Sequence, residues 1–463
     1  MTLDFAAVLN GTKARVFDGD GHAVPLAAAD LERSIGQVRI DSRQIRPGDL
    51  FVALPGEKTD GHNFARDAAD RGASAVLAER VTDAPIPHFL VPDALVALQN
   101  LARFWRDRYD VPVIGITGSI GKTTTKELTA EILGRDALRT EGNLNTEFGV
   151  PLTLLNLESR HTAAVIEMGM YVPGDIALLA GIARPKVGVV TNVAPIHLER
   201  VGSIERIARG KSELIHALPP DGKAILNADN PWTRAMAISS GTAPALLFGA
   251  ATDADFCAGD IVSHGLDGVS FAVAAEGDRH HFRTTVPGKH TVPAFLAAIA
   301  VARHLGREWP EIIDAVAAAQ LGNRQRIIHI GNSLIIDDSY NAAPMSMNAA
   351  LELLHAAPGR KIAILGDMLE LGKEEETAHR QVGTFVAGVA EWLILRGTRC
   401  RWIAEEAARA GMPLDRIVST ENNEKAIQAV RSIVDDESAW ALLVKGSRDM
   451  QLTDLVPALE AIL

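Results

Sequence analysis

Short apolar runs alternate with segments of helical periodicity along most of the chain. The apolar run "DLFVAL" is followed by the helical pattern "NFARDAADRG" and then by the apolar run "SAVLAE". This order predicts a strand, a helix and a second strand, with Gly72 ending the helix. Because the same alternation recurs through the chain, it predicts α/β units with parallel sheets.

The length of the chain predicts several domains, since 463 residues are too many for one hydrophobic core. One boundary is expected just before Val111, where "RDRYDVP" ends a helical pattern and a strand follows. A second is expected near residues 321–326, after another helical pattern. We therefore predict domains at residues 1–110, 111–322 and 323–463.

Composition narrows the class of protein. Apolar residues make up 47% and charged residues 22%, which is typical of a soluble globular protein. The net charge of −12 argues against a general nucleic-acid binder, which is usually basic. The two cysteines, Cys257 and Cys400, lack metal-site spacing and suit a reducing cytoplasm. We expect no secretory signal in "MTLDFAAVLN" and no membrane insertion, because no apolar run is long enough.

The stretch "VIGITGSIGKTTTKE" predicts a phosphate-binding loop. Val113–Thr117 reads as a buried strand and Lys122–Leu133 as a helix. The turn between them would gather several N–H groups at the positive end of the helix, where phosphate oxygens bind. The common loop pattern places Gly five residues before Gly121, where this chain has Ile116. An ordinary Gly-rich turn is the alternative.

Within that loop, individual residues have separate expected roles. Gly118 and Gly121 would let the backbone approach a phosphate closely. Lys122 would neutralise the β- and γ-phosphates, and the Thr123 hydroxyl would hold Mg²⁺.

Polar residues follow two further apolar strands of the middle region. Glu167 ends "AAVIEMG", where it is either a second Mg²⁺ ligand or a solvated carboxylate. His197 follows "KVGVVTNVAPIHLE" and is either a metal-site residue or a surface loop residue. Asn143, Asn145 and Thr146 lie in a polar segment that binds a ligand or simply forms a turn.

Three strands of the C-terminal region also end in polar turns. "SLIIDDSYNAAP" ends in Asp337 and Asp338, where a carboxylate would accept hydrogen bonds from a ribose. "KIAILGDMLELG" and "ALLVKGSRDM" give similar ends, with Lys445 and Ser447 as contacts for phosphate or carboxylate. Each of these turns, taken singly, is better explained as a routine strand-to-helix connection.

Together, these segments resemble one family, the Mur ligases of peptidoglycan synthesis. The similarity rests on "TGSIGKTTTKE", "TEGNLNTEFGVPLTLL", "EMG", "TNVAPIHLE", "KSEL", "DDSYNAAP", "GDMLELG" and "VKGSR". The N-terminal "DSRQIRPGDLFVALPGEKTDGHNF" is similar to the nucleotide-sugar-binding start of the family. The family loop has the core Thr-Gly-x-x-Gly-Lys-Thr, which residues 117–123 fit, so Ile116 is no defect.

The resemblance implies a fold and a reaction. The fold is α/β with three domains: one for a UDP-sugar, a central one of the P-loop type with a parallel sheet for ATP, and a Rossmann-like one that closes over the site. "GDMLELG" with "DDSYNA" is most similar to the member that joins D-alanyl-D-alanine to UDP-N-acetylmuramoyl-tripeptide. The implied cofactors are ATP and Mg²⁺, the implied intermediate is an acyl phosphate, and the enzyme is expected to be a cytoplasmic monomer without a nucleic-acid partner.

The resemblance also assigns residues. The implied catalytic residues are Lys122, Lys211 and His197. The implied ATP-binding residues are Thr117, Gly118, Ser119, Gly121, Lys122, Thr123, Thr124, Arg324, Asp338, Tyr340 and Asn341. The implied metal ligands are Thr123, Glu167, His197 and, if carbamylated, Lys211. The implied contacts to the UDP-substrate are Ser42, Arg43, Asn145 and Thr146, and those to the acceptor or phosphate are Lys445 and Ser447. Without the resemblance, Lys211 would read as an exposed helical lysine.

The chain departs from the family pattern at a few positions. Asn is usual in the family where this chain has Thr146, Thr291, Ala294 and Ala343. One of the Asn residues replaced by Thr291 and Ala294 commonly contacts the adenine. The Gly-Arg pair before the C-terminal strand is Asn323-Arg324 here, and Arg326 is an alternative to Arg324.

Two other readings stay open at this stage. One is a related ligase that adds the third stem residue or acts on folylpolyglutamate, against which "DDSYNA" and "GDMLELG" argue. The other is a nucleotide-dependent switch without ligase activity. That hypothesis does not explain the presence of Lys211 or of the N-terminal region.

Overall fold

The computed structural model describes residues 3–24, 27–56, 59–195, 201–239, 244–322, 325–434 and 438–463. His197 and Arg324 lie outside the described residues. Two compact units are present, one of Met1–Val193 with Ile207–Leu247 and one of Ala194–Arg206 with Phe248–Leu463. Among the described residues, no helix combines the length and the apolar character needed to cross a bilayer.

The helices and strands follow each other in the alternating order that the sequence predicts. The described helices are α1 Phe5–Thr12, α2 Ala28–Leu31, α3 Ala65–Asp70, α4 Ala94–Arg106, α5 Lys122–Leu133, α6 Gly149–Leu154, α7 Asp175–Ala183, α8 Ile204–His216, α9 Pro231–Ser239, α10 Val292–His304, α11 Trp309–Ala318, α12 Pro344–Ala356, α13 Glu375–Ala387, α14 Cys400–Arg409, α15 Asn423–Ile433 and α16 Leu455–Glu460. The described strands are β1 Arg15–Phe17, β2 Val38–Arg39, β3 Leu50–Val52, β4 Ala75–Ala78, β5 His88–Leu90, β6 Val113–Thr117, β7 Ala137–Arg139, β8 Ala163–Glu167, β9 Val187–Val190, β10 Lys223–Asn227, β11 Ala245–Gly249, β12 Phe256–Ser263, β13 Val269–Ala275, β14 Asp278–Thr284, β15 Arg326–Ile330, β16 Ser333–Asp337, β17 Arg360–Gly366, β18 Trp392–Arg396, β19 Ile417–Thr420 and β20 Trp440–Lys445.

The N-terminal sheet has five strands in the order β1-β5-β4-β3-β2. The β3–β4 and β4–β5 pairs are parallel, and β1 pairs with β5 in the antiparallel direction. The predicted strand–helix–strand unit is therefore confirmed, and Gly72 lies in the left-handed region with φ 97° just after α3. Helix α4 then leads into the middle region, where the Trp105 indole N–H donates to the Leu157 carbonyl at 3.1 Å.

The sheet that positions the site contains β10, β9, β6, β8 and β7 in that spatial order, all parallel. Each residue of β6 and β8 is buried, which explains their continuous apolar runs. Ile116 pairs in register with Glu167, and Thr117 pairs with Val190. Because these strands run in one direction, their carboxyl ends meet at the same edge of the sheet.

The second unit begins with an antiparallel meander of β12, β13 and β14. Phe271 packs against Phe282 and Phe295, with ring centroids 5.3 and 5.8 Å apart, and so ties the meander to α10. The alternation that predicts parallel α/β units did not indicate this meander. Its last strand has the sequence "DRHHFRT". Because most of these residues are polar, the sequence does not show which face of the strand is buried.

The C-terminal sheet has six strands in the order β15-β16-β20-β17-β18-β19. All its pairs are parallel except β15 with β16. Alternate residues of β16 face two different cores: Leu334 and Ile336 belong to one, and Ile335 to the other. Helices cover both faces, so the predicted Rossmann-like C-terminal domain is confirmed.

Candidate active site

The Gly-rich loop joins the end of β6 to the start of α5. Gly121 is the N-cap of α5, with φ 84°. A Cβ atom on Gly118 would lie 1.9 Å from the Thr191 hydroxyl oxygen, so only glycine fits there. The Gly-rich loop therefore leads directly into the N-terminus of α5, the end of a helix at which backbone N–H groups can receive an anion.

Residues that follow β9 hold this loop in place. The Ile120 N–H donates to the Asn192 side-chain oxygen at 2.8 Å, and the Ser119 N–H donates to the Asn192 carbonyl at 3.0 Å. The Thr191 hydroxyl donates to the Ile120 carbonyl at 2.6 Å. The loop is thus fixed before any ligand arrives, which reduces the entropic cost of binding.

Lys122 reaches back over the loop from the first position of α5. Its ammonium donates to the Gly118 carbonyl at 2.8 Å and to the Ser119 carbonyl at 3.3 Å. The positive charge therefore lies beside the same N–H groups that would receive a phosphate. That Lys122 neutralises the β- and γ-phosphates stays a prediction.

Glu167 is a buried carboxylate with one oxygen left over. Its side chain is almost inaccessible, at 2% exposure, although it ends a strand. The Asn145 amide donates to Oε1 at 2.8 Å, whereas Oε2 is buried and has no hydrogen-bond partner among the described residues. A solvated carboxylate is therefore the wrong reading, and the orphaned oxygen calls for a cation.

Lys211 lies on α8 and is buried, with 3% exposure. The alternative of an exposed helical lysine is therefore wrong. Burial of its ammonium and the nearby positive charge of Lys122 hold the pKa of Lys211 well below the ordinary value. The side chain therefore tends toward a neutral amine, which is the form that reacts with carbon dioxide.

The chemistry of these donors fits Mg²⁺. Magnesium prefers oxygen ligands and usually keeps part of its water shell. The orphaned Oε2 of Glu167 and the hydroxyl of Thr123, on the first turn of α5, would supply two such oxygens.

The residues predicted for the UDP-substrate are described in the same unit. Ser42 is buried, and its hydrogen bond is the leading cause that lowers the pKa of Asp67. Arg43 is exposed and makes two hydrogen bonds to Asp41, at 2.9 and 2.8 Å. Thr146 accepts a hydrogen bond from the Gly149 N–H at the start of α6. Asn145 donates its side-chain hydrogen bond to Glu167, so it lies beside that carboxylate.

In the second unit, Lys445 and Asp338 come together at the ends of β20 and β16. Lys445 is 1% exposed, and its ammonium binds the Asp338 carboxylate and, at 2.9 Å, the Asn341 carbonyl. The Ser447 hydroxyl accepts from the Leu369 N–H at 2.9 Å. Ser447 thus supports the "GDMLELG" turn, and Lys445 supports the "DDSYNAAP" turn.

The positions that depart from the family pattern have defined surroundings. The Thr291 hydroxyl is buried and donates to the Gly288 carbonyl at 2.7 Å, which ties down the start of α10. Ala294 lies in the buried face of the same helix. Arg326, the alternative to Arg324, pairs with Glu460 at 3.0 Å. Thr291 therefore serves the backbone of its own helix.

Sequence reasoning missed the residues that support these groups. Thr140 accepts a hydrogen bond from the Glu167 N–H at 3.0 Å, and the Lys126 ammonium donates to the Thr140 carbonyl at 2.7 Å. Asn192 fixes the Gly-rich loop. All three lie in the quoted motifs, but their partners are distant in sequence, so spacing alone could not identify their roles.

Family models cover most of the chain. The Mur ligase middle domain matches residues 116–302, the Mur ligase, glutamate ligase domain matches 323–448, and the Mur ligase family, catalytic domain matches 34–106. A UDP-N-acetylmuramoyl-tripeptide–D-alanyl-D-alanine ligase from Escherichia coli is 34% identical over 94% of this chain and 95% of its own length. The chain belongs to the Mur ligase family.

Other comparisons support this membership of the Mur ligase family. A ligase of the same name from Synechocystis is 39% identical over 76% of this chain and 77% of its own. A crystal structure of MurF from Acinetobacter baumannii matches with a TM-score of 0.89 and 29% identity, covering 100% and 99% of the two chains. MurF from Thermotoga maritima in complex with ADP matches with a TM-score of 0.77 and 30% identity, covering 92% and 97%.

Substituting Gly118 by alanine should disable the loop. The added Cβ would overlap Thr191, and overpacking of this kind costs about 1–3 kcal/mol. We expect ATP to bind about tenfold more weakly to G118A, as measured by isothermal titration calorimetry. The matched control is G181A, since a Cβ at Gly181 meets nothing within 4 Å. Equal nucleotide affinity in G118A and the wild type would contradict the assignment of this loop.

Proposed function

We propose that the protein is an ATP-dependent amide ligase that joins D-alanyl-D-alanine to UDP-N-acetylmuramoyl-tripeptide, releasing ADP and phosphate. The observation that carries the proposal is a full-length similarity to a ligase of that name, in a chain whose loop and buried carboxylate suit a magnesium nucleotide. The product is the pentapeptide precursor of peptidoglycan.

The reaction has two steps. An oxygen of the terminal carboxylate of the tripeptide attacks the γ-phosphorus of ATP, the bond to the bridging oxygen breaks, and ADP leaves with its electron pair. The amine of D-alanyl-D-alanine then attacks the acyl carbon, phosphate leaves, and the nitrogen loses a proton. The acyl phosphate thus carries the energy of ATP into the amide bond.

The loop solves the electrostatic problem of the first step. A carboxylate and a triphosphate repel each other, so positive groups must lie where the charge gathers. Lys122 and the N–H groups of the first turn of α5 supply part of this charge. We propose that Thr123 and Glu167 hold Mg²⁺, which when bound neutralises charge on the phosphate oxygens.

We also propose that Lys211 is carbamylated. Its lowered pKa favours the neutral amine, and the carbamate that forms is an anion. An anion beside Lys122 replaces a repulsion between two cations by an attraction. With His197 it would hold a second metal ion, as the family resemblance implies.

The remaining assignments follow from the family resemblance and are part of the proposal. Domain 1–110 with Asn145 and Thr146 of the next domain would hold the UDP-substrate, including contacts from Ser42 and Arg43. Domain 111–322 would bind ATP. Domain 323–463 would complete the ATP site and bring the amine. The residues proposed for it are Arg324, Asp338, Tyr340, Asn341, Lys445 and Ser447.

We propose a monomer that works in the cytoplasm. An enzyme that consumes ATP needs a compartment that supplies it. The two free cysteines suit a reducing environment.

Related ligases are less well supported as alternatives. A UDP-N-acetylmuramoyl-L-alanyl-D-glutamate–2,6-diaminopimelate ligase matches with a TM-score of 0.54 and 18% identity. A folylpolyglutamate synthase from Mycobacterium tuberculosis matches with a TM-score of 0.62 and 17% identity. These likenesses support the common fold alone.

Phosphate release from Mg-ATP should require both proposed substrates. We expect the purified protein to release phosphate with UDP-N-acetylmuramoyl-tripeptide and D-alanyl-D-alanine together, and mass spectrometry should show a gain of one dipeptide less one water. L-Alanyl-L-alanine and free glutamate serve as control amines. Release that depends on glutamate, or on neither amine, would contradict the proposed substrate pair.

Lys211 should bind carbon dioxide. In ¹³C-bicarbonate, we expect the NMR spectrum of the wild type to show one carbamate signal that is missing from K211R. The matched control is K186R, at an exposed lysine of the same unit. A spectrum without a carbamate signal in the wild type would count against this role of Lys211.

A further inference from the structure

Lys126 is a fully buried lysine that the reaction described above does not use. Its side chain has 0% exposure, and its ammonium contacts two oxygens, the Thr140 carbonyl at 2.7 Å and Glu127 Oε1 at 2.7 Å. Arg139 binds the other oxygen of Glu127 at 3.2 Å. A buried charge is costly even when it is paired, and an apolar side chain is often no worse for stability. The position therefore suggests a purpose other than stability.

Thr140 links this lysine to Glu167. The residue directly follows β7, and its N–H donates to the Val165 carbonyl of β8 at 3.1 Å. Its carbonyl accepts from Lys126, while its hydroxyl accepts from the Glu167 N–H at 3.0 Å. Thr140 is itself fully buried, so water does not compete for these bonds. A shift of Lys126 would thus reach the backbone of Glu167 through one intervening residue.

Lys126 also has a fixed relation to Thr123. Both lie on α5, three residues apart, so they share one face of the helix. The start of α5 is held by the Gly-rich loop. The hydrogen bonds from Lys126 to Thr140, and from Glu167 to Thr140, connect the helix to the end of β8.

We propose that Lys126 is a positioning residue that sets the spacing between Thr123 and Glu167, and thereby the affinity for the divalent cation. The proposal rests on the proposed function, in which these two residues share one metal ion. In this proposal Lys126 acts through Thr140.

Cation binding tests this proposal without relying on turnover. Mn²⁺ in the presence of a non-hydrolysable ATP analogue is titrated onto the full-length protein and followed by electron paramagnetic resonance. Loss of such supporting groups typically weakens metal binding by about 10- to 100-fold. We expect at least about tenfold weaker Mn²⁺ binding in K126M and in T140V, with a change of less than about twofold in analogue affinity measured without metal.

Two further variants separate positioning from general damage to the fold. T140S keeps the hydroxyl and should bind Mn²⁺ like the wild type. K186M makes the same chemical change as K126M at an exposed lysine and should also bind normally. K126M and T140V interrupt the same connection, so their effects should not add. The Mn²⁺ affinity of the double variant should lie within about twofold of the affinity of the more impaired single variant.

Other results would overturn either the role of Lys126 or the shared metal site. Mn²⁺ affinity equal to the wild type in K126M, or additive losses in the double variant, would overturn the role of Lys126. If K126M does not fold, T140V decides alone, and normal Mn²⁺ binding in T140V overturns the proposal. A wild-type protein that binds the analogue but takes up no Mn²⁺ with it would overturn the shared metal site itself and the Lys126 proposal with it.

Discussion

The repulsion between a carboxylate and a triphosphate is the constraint on which the rest of the site depends. Two anions must approach to bonding distance, so the protein has to gather positive charge and N–H groups at one point before they arrive. In the proposed mechanism, the strand–loop–helix of residues 113–133 does this with Lys122 and the first turn of α5. Only a parallel sheet brings the ends of β6, β8 and β9 to that point together.

The same constraint explains why so many charged side chains are buried. Glu167, Lys126 and Lys211 of the first unit and Lys445 of the second have exposures of 3% or less. Burial strengthens every electrostatic interaction but makes an unmatched charge expensive. Lys126 and Lys445 have oxygen partners, whereas Glu167 keeps an orphaned oxygen and the pKa of Lys211 is lowered. Glu167 and Lys211 are the groups to which the proposed mechanism gives a cation and a carbamate.

Much of the fold could be predicted from sequence, for a physical reason. Buried parallel strands must be continuous apolar runs, so β6 and β8 can be recognised in the sequence, and helix α5 spans Lys122–Leu133 as its pattern predicts. The meander β12–β14 could not be recognised in the sequence, because polar residues at its positions obscure the alternation of buried and exposed side chains. The carboxylate Glu167 could be named as a ligand, but its burial and its orphaned oxygen depend on Asn145 and Thr140, which only the folded chain brings to it.

We propose that Thr123 and Glu167 hold one magnesium ion on the nucleotide. A crystal structure of the protein with Mg²⁺ and a non-hydrolysable ATP analogue tests it most directly. We expect a metal ion about 2.0–2.1 Å from both the Thr123 hydroxyl and Glu167 Oε2, with the phosphates over the N-terminus of α5. A nucleotide bound at this loop whose metal ion leaves Glu167 uncoordinated would contradict it.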